Sequence, residues 1–220
     1  GLSSNFRIRV LRGLLADPDL GVRLSAATAI AFMNSDVATR CLVETTRSEK
    51  PEAASAAAAG LARVDKPAAL GALCKAAAHH SEPWVRAQAV ESLGQLRVVQ
   101  HPLSATSMTV DETSCDPVEA LVSALTDEGG FTGALALESQ IDAVARAVSA
   151  AKGVPAEGST THPTTNPRTV SQVAAATLTE LTGQAIPPHE KMSQQEKENL
   201  VRQCRSWMAK RRSRMTNSAD

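Results

Sequence analysis

The sequence predicts an all-α fold, an α-solenoid of about five stacked antiparallel helix pairs with a C-terminal capping helix. Three observations point there. Similar segments recur 31 and 32 residues apart, the 43% apolar content is dominated by alanine, and aromatic residues make up only 2% of the chain. Alanine is the best helix former, and its small side chain lets helix axes approach closely. So few aromatics argue against a β-sandwich. They also leave few platforms for stacking single-stranded nucleic acid.

The repeated segments are "DPDLGVRLSAATAIAFM", "EKPEAASAAAAGLARV" and "SEPWVRAQAVESLGQL". Aligning Val22, Ala53 and Val85 brings Ala26, Ala57 and Ala89 into register, and then Ile30, Leu61 and Leu93. Pro18, Pro51 and Pro83 stand just before or at each start, where a missing N–H costs a helix nothing. These are the inner helices. Between them lie outer helices with their own stripes: Ile8, Leu11 and Leu15 with Val10 and Leu14 beside them, then Val37, Cys41 and Leu42, then Leu70, Leu73, Cys74 and Ala77. The last set follows i, i+3, i+4, i+7, the spacing that lines one helical face. Residues 1–97 therefore read as three helix-pair repeats.

The pattern D-P-x-x-x-V-R-x-x-A-A-x-x-I/L over Asp17–Ile30 resembles a HEAT repeat of the short type found in bilin-lyase-like proteins. Val85, Arg86, Ala89, Val90, Leu93 and Gly94 repeat it, whereas the middle copy carries Ala53 and Ala54 in place of Val and Arg. The resemblance covers residues 5–97 and implies an armadillo-like architecture. It is specific for fold rather than for activity.

Residues 98–115 carry no helical stripe and read as a long loop. A fourth, divergent repeat follows over 116–152. Its first helix carries Val118, Leu121, Val122 and Leu125, and its partner over 133–152 carries Ile141, Val144, Ala145 and Val148. Residues 153–168, rich in Pro and Thr, read as a linker. Over 169–214 the spacing of Val170, Ala174, Ala175, Leu178 and Leu181 reproduces that of Val85, Ala89, Val90, Leu93 and Leu96, giving the inner helix of a last repeat. A helix over 193–212 with Leu200, Cys204, Trp207 and Met208 on one face then caps the array, and 215–220 reads as a disordered tail. The ending Leu181-Thr182-Gly183-Gln184 before a Trp-bearing helix is similar to the terminus of many bacterial HEAT-repeat proteins.

Charge is balanced overall but unevenly placed. Residues 1–100 carry 12 Lys/Arg against 9 Asp/Glu, residues 101–190 carry 3 against 11, and residues 191–220 carry 8 against 3. Such polarity suits head-to-tail contacts or a charged partner. The cysteines at 41, 74, 115 and 204 form no CxxC pair, and three of them sit among apolar helix positions, as small buried hydrophobes do. That points to a reducing, cytoplasmic setting, with a removed leader as the alternative because the chain opens on Gly1. No apolar run approaches the length of a membrane span.

Arg23 and Arg86 share one position of successive inner helices. They read either as a ladder to a neighbouring carboxylate or loop carbonyl, with Asp17, Asp19 and Glu82 near the turns, or as contacts for a ligand on the concave face. Trp84 is the residue no repeat rule demands, since Gly21 and Glu52 fill the equivalent slots. Lys210, Arg211, Arg212 and Arg214 form the densest basic cluster, suited to phosphate or anionic lipid, or to a solvated helix end. His79 and His80 read as a polar helix end, because a two-histidine zinc site wants i, i+4. With no G-x-S-x-G, no H-E-x-x-H and no phosphate-binding glycine loop, no catalytic, cofactor or metal site is expected.

The function expected is a non-enzymatic scaffold or adaptor that binds another protein along the concave wall and the two long loops. The alternatives are a bilin-lyase-like or DNA-base-excising enzyme, both drawn from family resemblance, and nucleic-acid or anionic-surface binding through the basic end.

Overall fold

Proline and short polar caps set the helix starts. The computed structural model describes residues 4–96, 117–131, 168–183, 185–186 and 192–217, with backbone alone at 118, 182, 197, 207–209 and 211–217. The helices are α1 (Ser4–Leu14), α2 (Leu20–Phe32), α3 (Asp36–Thr45), α4 (Pro51–Leu61), α5 (Pro67–His79), α6 (Pro83–Gln95), α7 (Pro117–Ala124), α8 (Val170–Thr182) and α9 (Gln194–Asn217). α4, α5, α6 and α7 each open on a proline. Asp19 and Ser35 instead cap α2 and α3 by accepting from the N–H of Val22 and Ala38. Thr169 with Gln172 forms a reciprocal capping box on α8, as Ser193 with Glu196 does on α9. Gly183 ends α8 in the left-handed region at φ 67°.

The helices stack in two rows. The outer row runs α1, α3, α5, α7 and the inner row α2, α4, α6, α8, with each outer helix packed on its inner partner. The fold class is the all-α solenoid predicted. The structure places α8 differently from the sequence reading, which puts it in a fifth repeat. α8 packs directly on α6 and on α7, so it occupies the inner position of the fourth pair. A two-residue antiparallel bridge explains how helices so distant in sequence meet. β1 (Gly130–Phe131) pairs with β2 (Arg168–Thr169), Gly130 opposite Thr169 and Phe131 opposite Arg168. The chain thus leaves and re-enters the fold at one point. The helix expected over 133–152 and the segments 98–115 and 153–167 lie outside the described residues.

One continuous core runs through the array. In so alanine-rich an interior each paired helix supplies a large anchor, fully buried: Leu15 just past α1, then Ile30, Leu42, Leu61, Leu73, Leu93, Leu121 and Leu178. Each such side chain contributes about 1.5–3 kcal/mol of burial, while the alanines between them let the helices close up. Cys41, Cys74 and Cys204 are buried as expected, and burial pushes the thiols of Cys41 and Cys204 up. Val10 and Leu14, expected beside the first outer stripe, and Val37, expected within the second, are exposed instead. Among the described helices α1 packs on α2 and α3, and those contacts bury Ile8 rather than Val10 or Leu14.

α9 packs on α7 as the capping helix, burying Cys204 and laying Leu200 and Val201 on the core. It continues to Asn217, past the expected end of the last segment at 214. Ion pairs join successive units: Arg12 of α1 with Glu44 of α3, Lys66 at the start of α5 with Asp36 of α3, Arg86 of α6 with Asp127 just past α7, and Arg205 of α9 with Glu119 of α7.

Candidate functional site

The turn between outer and inner helix is built the same way in all four pairs. Its opening residue uses its side chain to accept from the backbone N–H two residues on. Asp17 does this for Asp19, Ser48 for Lys50, His80 through Nδ1 for Glu82, and Asp127 for Gly129. Asp, Ser and a neutral imidazole all supply an acceptor at that distance. This puts His80 to structural use at the polar helix end the sequence predicts.

The recurring arginine folds back over this turn. Arg23 Nη1 donates to the carbonyls of Asp17 and Pro18 at 2.7 and 2.9 Å. Arg86 Nη1 donates to His80 and Ser81, the same two positions, at 2.8 and 3.0 Å. Carbonyls past the end of an outer helix lack helical donors, and a guanidinium supplies them. Arg86 then goes further. Its Nε and Nη2 hold Asp127 Oδ2 and Oδ1 at 2.6 and 3.0 Å, a bidentate fork onto the opening residue of the next turn.

Burial works to raise the Asp127 carboxyl. The hydrogen bonds from Arg86 and the Gly129 N–H, with the guanidinium charge, outweigh it and hold the group below the usual carboxylate range. Gly129 is fitted to this pair, since a Cβ there would lie 2.4 Å from Arg86 Nη2.

Of the two sequence readings, both arginines meet turn carbonyls, and Arg86 adds a carboxylate of the next unit. The carboxylate partner differs from those expected. Asp17 offers its carbonyl, Asp19 caps α2, and Glu82 is exposed with no capping bond from its side chain. Asp127 went unread because residues 98–115 stretch the turn spacing from 31 and 32 to 47 residues. The signal was there: "LTD" over 125–127 matches "LAD" over 15–17.

Trp84 is half-buried and packs against the core, and Thr169, the cap of α8, fills its slot in the fourth pair. Lys210 is exposed on α9, and Arg211, Arg212 and Arg214 lie on the same helix with side chains outside the described residues. Arg205, on the same helix, binds Glu119 of α7. The sequence reading also missed Gln88. It is fully buried in α6, with Nε2 donating to Glu91 Oε2 at 3.1 Å. The concave wall expected along the inner helices is interrupted at α4, where residues 53–61 are all buried.

A sequence-family model for HEAT repeats matches residues 42–128. Residues 42–128 are HEAT repeats. The match takes in the whole Arg86–Asp127 contact, while α1, α2 and α8 continue the same two rows beyond it. No curated protein matches the chain. HEAT repeats are in general protein-interaction scaffolds. Among the described residues no helix is long and apolar enough to cross a membrane.

The recurring turns also make a prediction at the seam lacking a carboxylate. Arg23 Nε is buried without a hydrogen-bond partner, and the equivalent of Asp127 one repeat on is Ser48. Ser48→Asp keeps the acceptor for Lys50 and offers Arg23 a carboxylate. It is expected to stabilise by about 1 kcal/mol, raising Tm by roughly 2–4 °C. An unchanged or lower Tm would mean that the two seams are not equivalent.

Proposed function

We propose that this chain is a scaffold that binds another protein and performs no chemistry of its own. The observation carrying this reading is the fate of Arg23 and Arg86. These are the charged side chains that recur on the inner helices, and both are engaged in turn carbonyls, Arg86 in Asp127 as well. A side chain so held is not presented to a substrate. Stacked HEAT pairs are suited instead to offering a long, rigid surface, because each unit is fixed by its neighbours.

The test is crosslinking in cells followed by reconstitution from purified components. A stoichiometric complex with a defined protein, measured by light scattering, is the expected result. The reading fails if no purified protein reconstitutes while the chain alone releases a base from alkylated DNA or changes the absorbance of an added bilin.

A further inference from the structure

The inner row is covered on the side that a two-row stack leaves open. α4 packs on α2 and α6 in its own row and on α3 and α5 in the other. Its Ala53, Ala57 and Leu61 hold the core-facing repeat position of Val85, Ala89 and Leu93 on α6, and all six are buried. Two residues further on is about 200° around a helix, so Ser55 and Ala59 face away from the outer row. They are nonetheless buried, at 3% and 2% exposure. The same positions hold Leu24 at 4% on α2 and Ala87 at 0% on α6. Leu24 and Ala59, with Leu20 against them, form an apolar cluster of their own, apart from the main core. On α8 the equivalent Ala176 is exposed. The position is open at α8, then, and shut over α2, α4 and α6.

The chain carries a segment whose pattern and attachment fit this wall. Residues 133–152, outside the described residues, hold Ile141, Val144, Ala145 and Val148 at i, i+3, i+4, i+7. The place expected for them, the inner position of the fourth pair, belongs to α8. An apolar stripe without its expected neighbour needs another surface. The chain leaves at Phe131 and returns at Arg168, its partner in the bridge, and β1 packs beside α6. A helix over 133–152 would be about 30 Å long, and the two steps along the row from α6 to α2 cover about 16–20 Å. Residues 98–115, the other long insertion, carry no apolar stripe. We propose that residues 133–152 lie as a helix across the away side of α2, α4 and α6, with their apolar stripe on Leu24, Ala59 and Ala87. The wall is thus a groove for an amphipathic helix, held by the chain itself, and a partner helix gains it only by displacing this one.

The test uses the full chain with Cys115→Ser, since Cys41, Cys74 and Cys204 are buried. A maleimide should label the thiol of Ser55→Cys at least about tenfold more slowly than that of Ala176→Cys. Adding Val144→Asp with Val148→Asp should remove that protection while the thermal unfolding of the paired helices persists. A labelled synthetic peptide of residues 133–152 should then bind the opened variant at least about tenfold tighter than the unaltered chain, because the tethered copy no longer competes. A photoreactive benzophenone on Thr28→Cys, with residues 133–152 unaltered, gives a second measurement that does not depend on the Asp variant folding. Its crosslinks beyond the inner helices should fall within 133–152. Equal labelling of the two thiols, protection that survives the Asp pair, or a peptide that binds both chains alike or neither overturns the proposal. So do benzophenone crosslinks confined to the inner helices or falling in 98–115.

This cover belongs to the chain alone, so it goes beyond the scaffold reading and fails separately from it. An open wall at Ser55 with a reconstituted protein complex leaves the scaffold standing and removes the cover. A protected wall with no complex removes the scaffold and leaves the cover.

Discussion

Arg86→Ala is expected to lower stability by about 3 kcal/mol, the lower end of the cost of breaking a buried charge pair, and Tm by roughly 6–12 °C. The lower end applies because Arg86 and Asp127 keep 15% and 23% side-chain exposure. Arg23→Ala removes the same two carbonyl bonds without an ion pair, so it should cost only about 1–2 kcal/mol. The difference between the two variants isolates the link from the third pair to the fourth. Hydrogen exchange should then show α7 and α8 losing protection in Arg86→Ala while α2 and α4 keep theirs, because a stacked array couples mainly nearest neighbours.

Acid gives an independent check. Asp127 is held below its unfolded pKa, so the folded state gains from it above about pH 4. That gain is lost as pH falls towards the depressed folded value. The Tm gap between the unaltered chain and Asp127→Asn should be full at pH 6 and close as the pH drops through the acid range. Equal losses for Arg23→Ala and Arg86→Ala, or a gap that persists in acid, would show that the Arg86–Asp127 contact does not couple the repeats.

The period of the array was legible because it is written in backbone chemistry. Proline at a first helical turn and small residues at the seam recur whatever the function. The arginine position was legible for the same reason, and its scaffold role followed from recurrence alone. Its partner was not, since the spacing to Asp127 contains residues outside the repeat rule. The same difficulty hid the pairing of α7 with α8, whose closeness depends on the bridge between Gly130–Phe131 and Arg168–Thr169. The middle inner helix shows the converse. α4 has neither the Val nor the Arg of its neighbours, yet residues 53–61 are buried throughout, so alanine and proline suffice to make an inner helix. Val10 and Leu14 satisfy helical periodicity, but periodicity does not reveal whether a helix has a neighbour on both sides. The packing of α1 on α2 and α3 buries Ile8 and leaves both of them exposed.

Gly94→Val should be about as damaging as Arg86→Ala, at about 3 kcal/mol of overpacking, because the inner row depends on close approach as much as on charge. A Cβ on Gly94 would lie 2.3 Å from Thr177 Cγ2 of α8, but 3.6 Å from Thr177 Cβ, an ordinary contact. The conflict is thus with one methyl group. Gly94→Ala alone sets that clash against a helix-propensity gain of about 1 kcal/mol, and a net loss of about 1–2 kcal/mol is expected. Thr177→Ala removes the offending methyl, and in the double variant the new alanine methyl occupies part of the space vacated. The double variant should therefore recover to within about 0.5 kcal/mol of the unaltered chain, a coupling of about 2 kcal/mol in a double-mutant cycle. Additive losses would mean that α6 and α8 do not meet at Gly94, and with that contact would go the assignment of α8 to the fourth inner position. A glycine here lets a helix entered 75 residues downstream of Gln95 complete the row as closely as its local neighbours do.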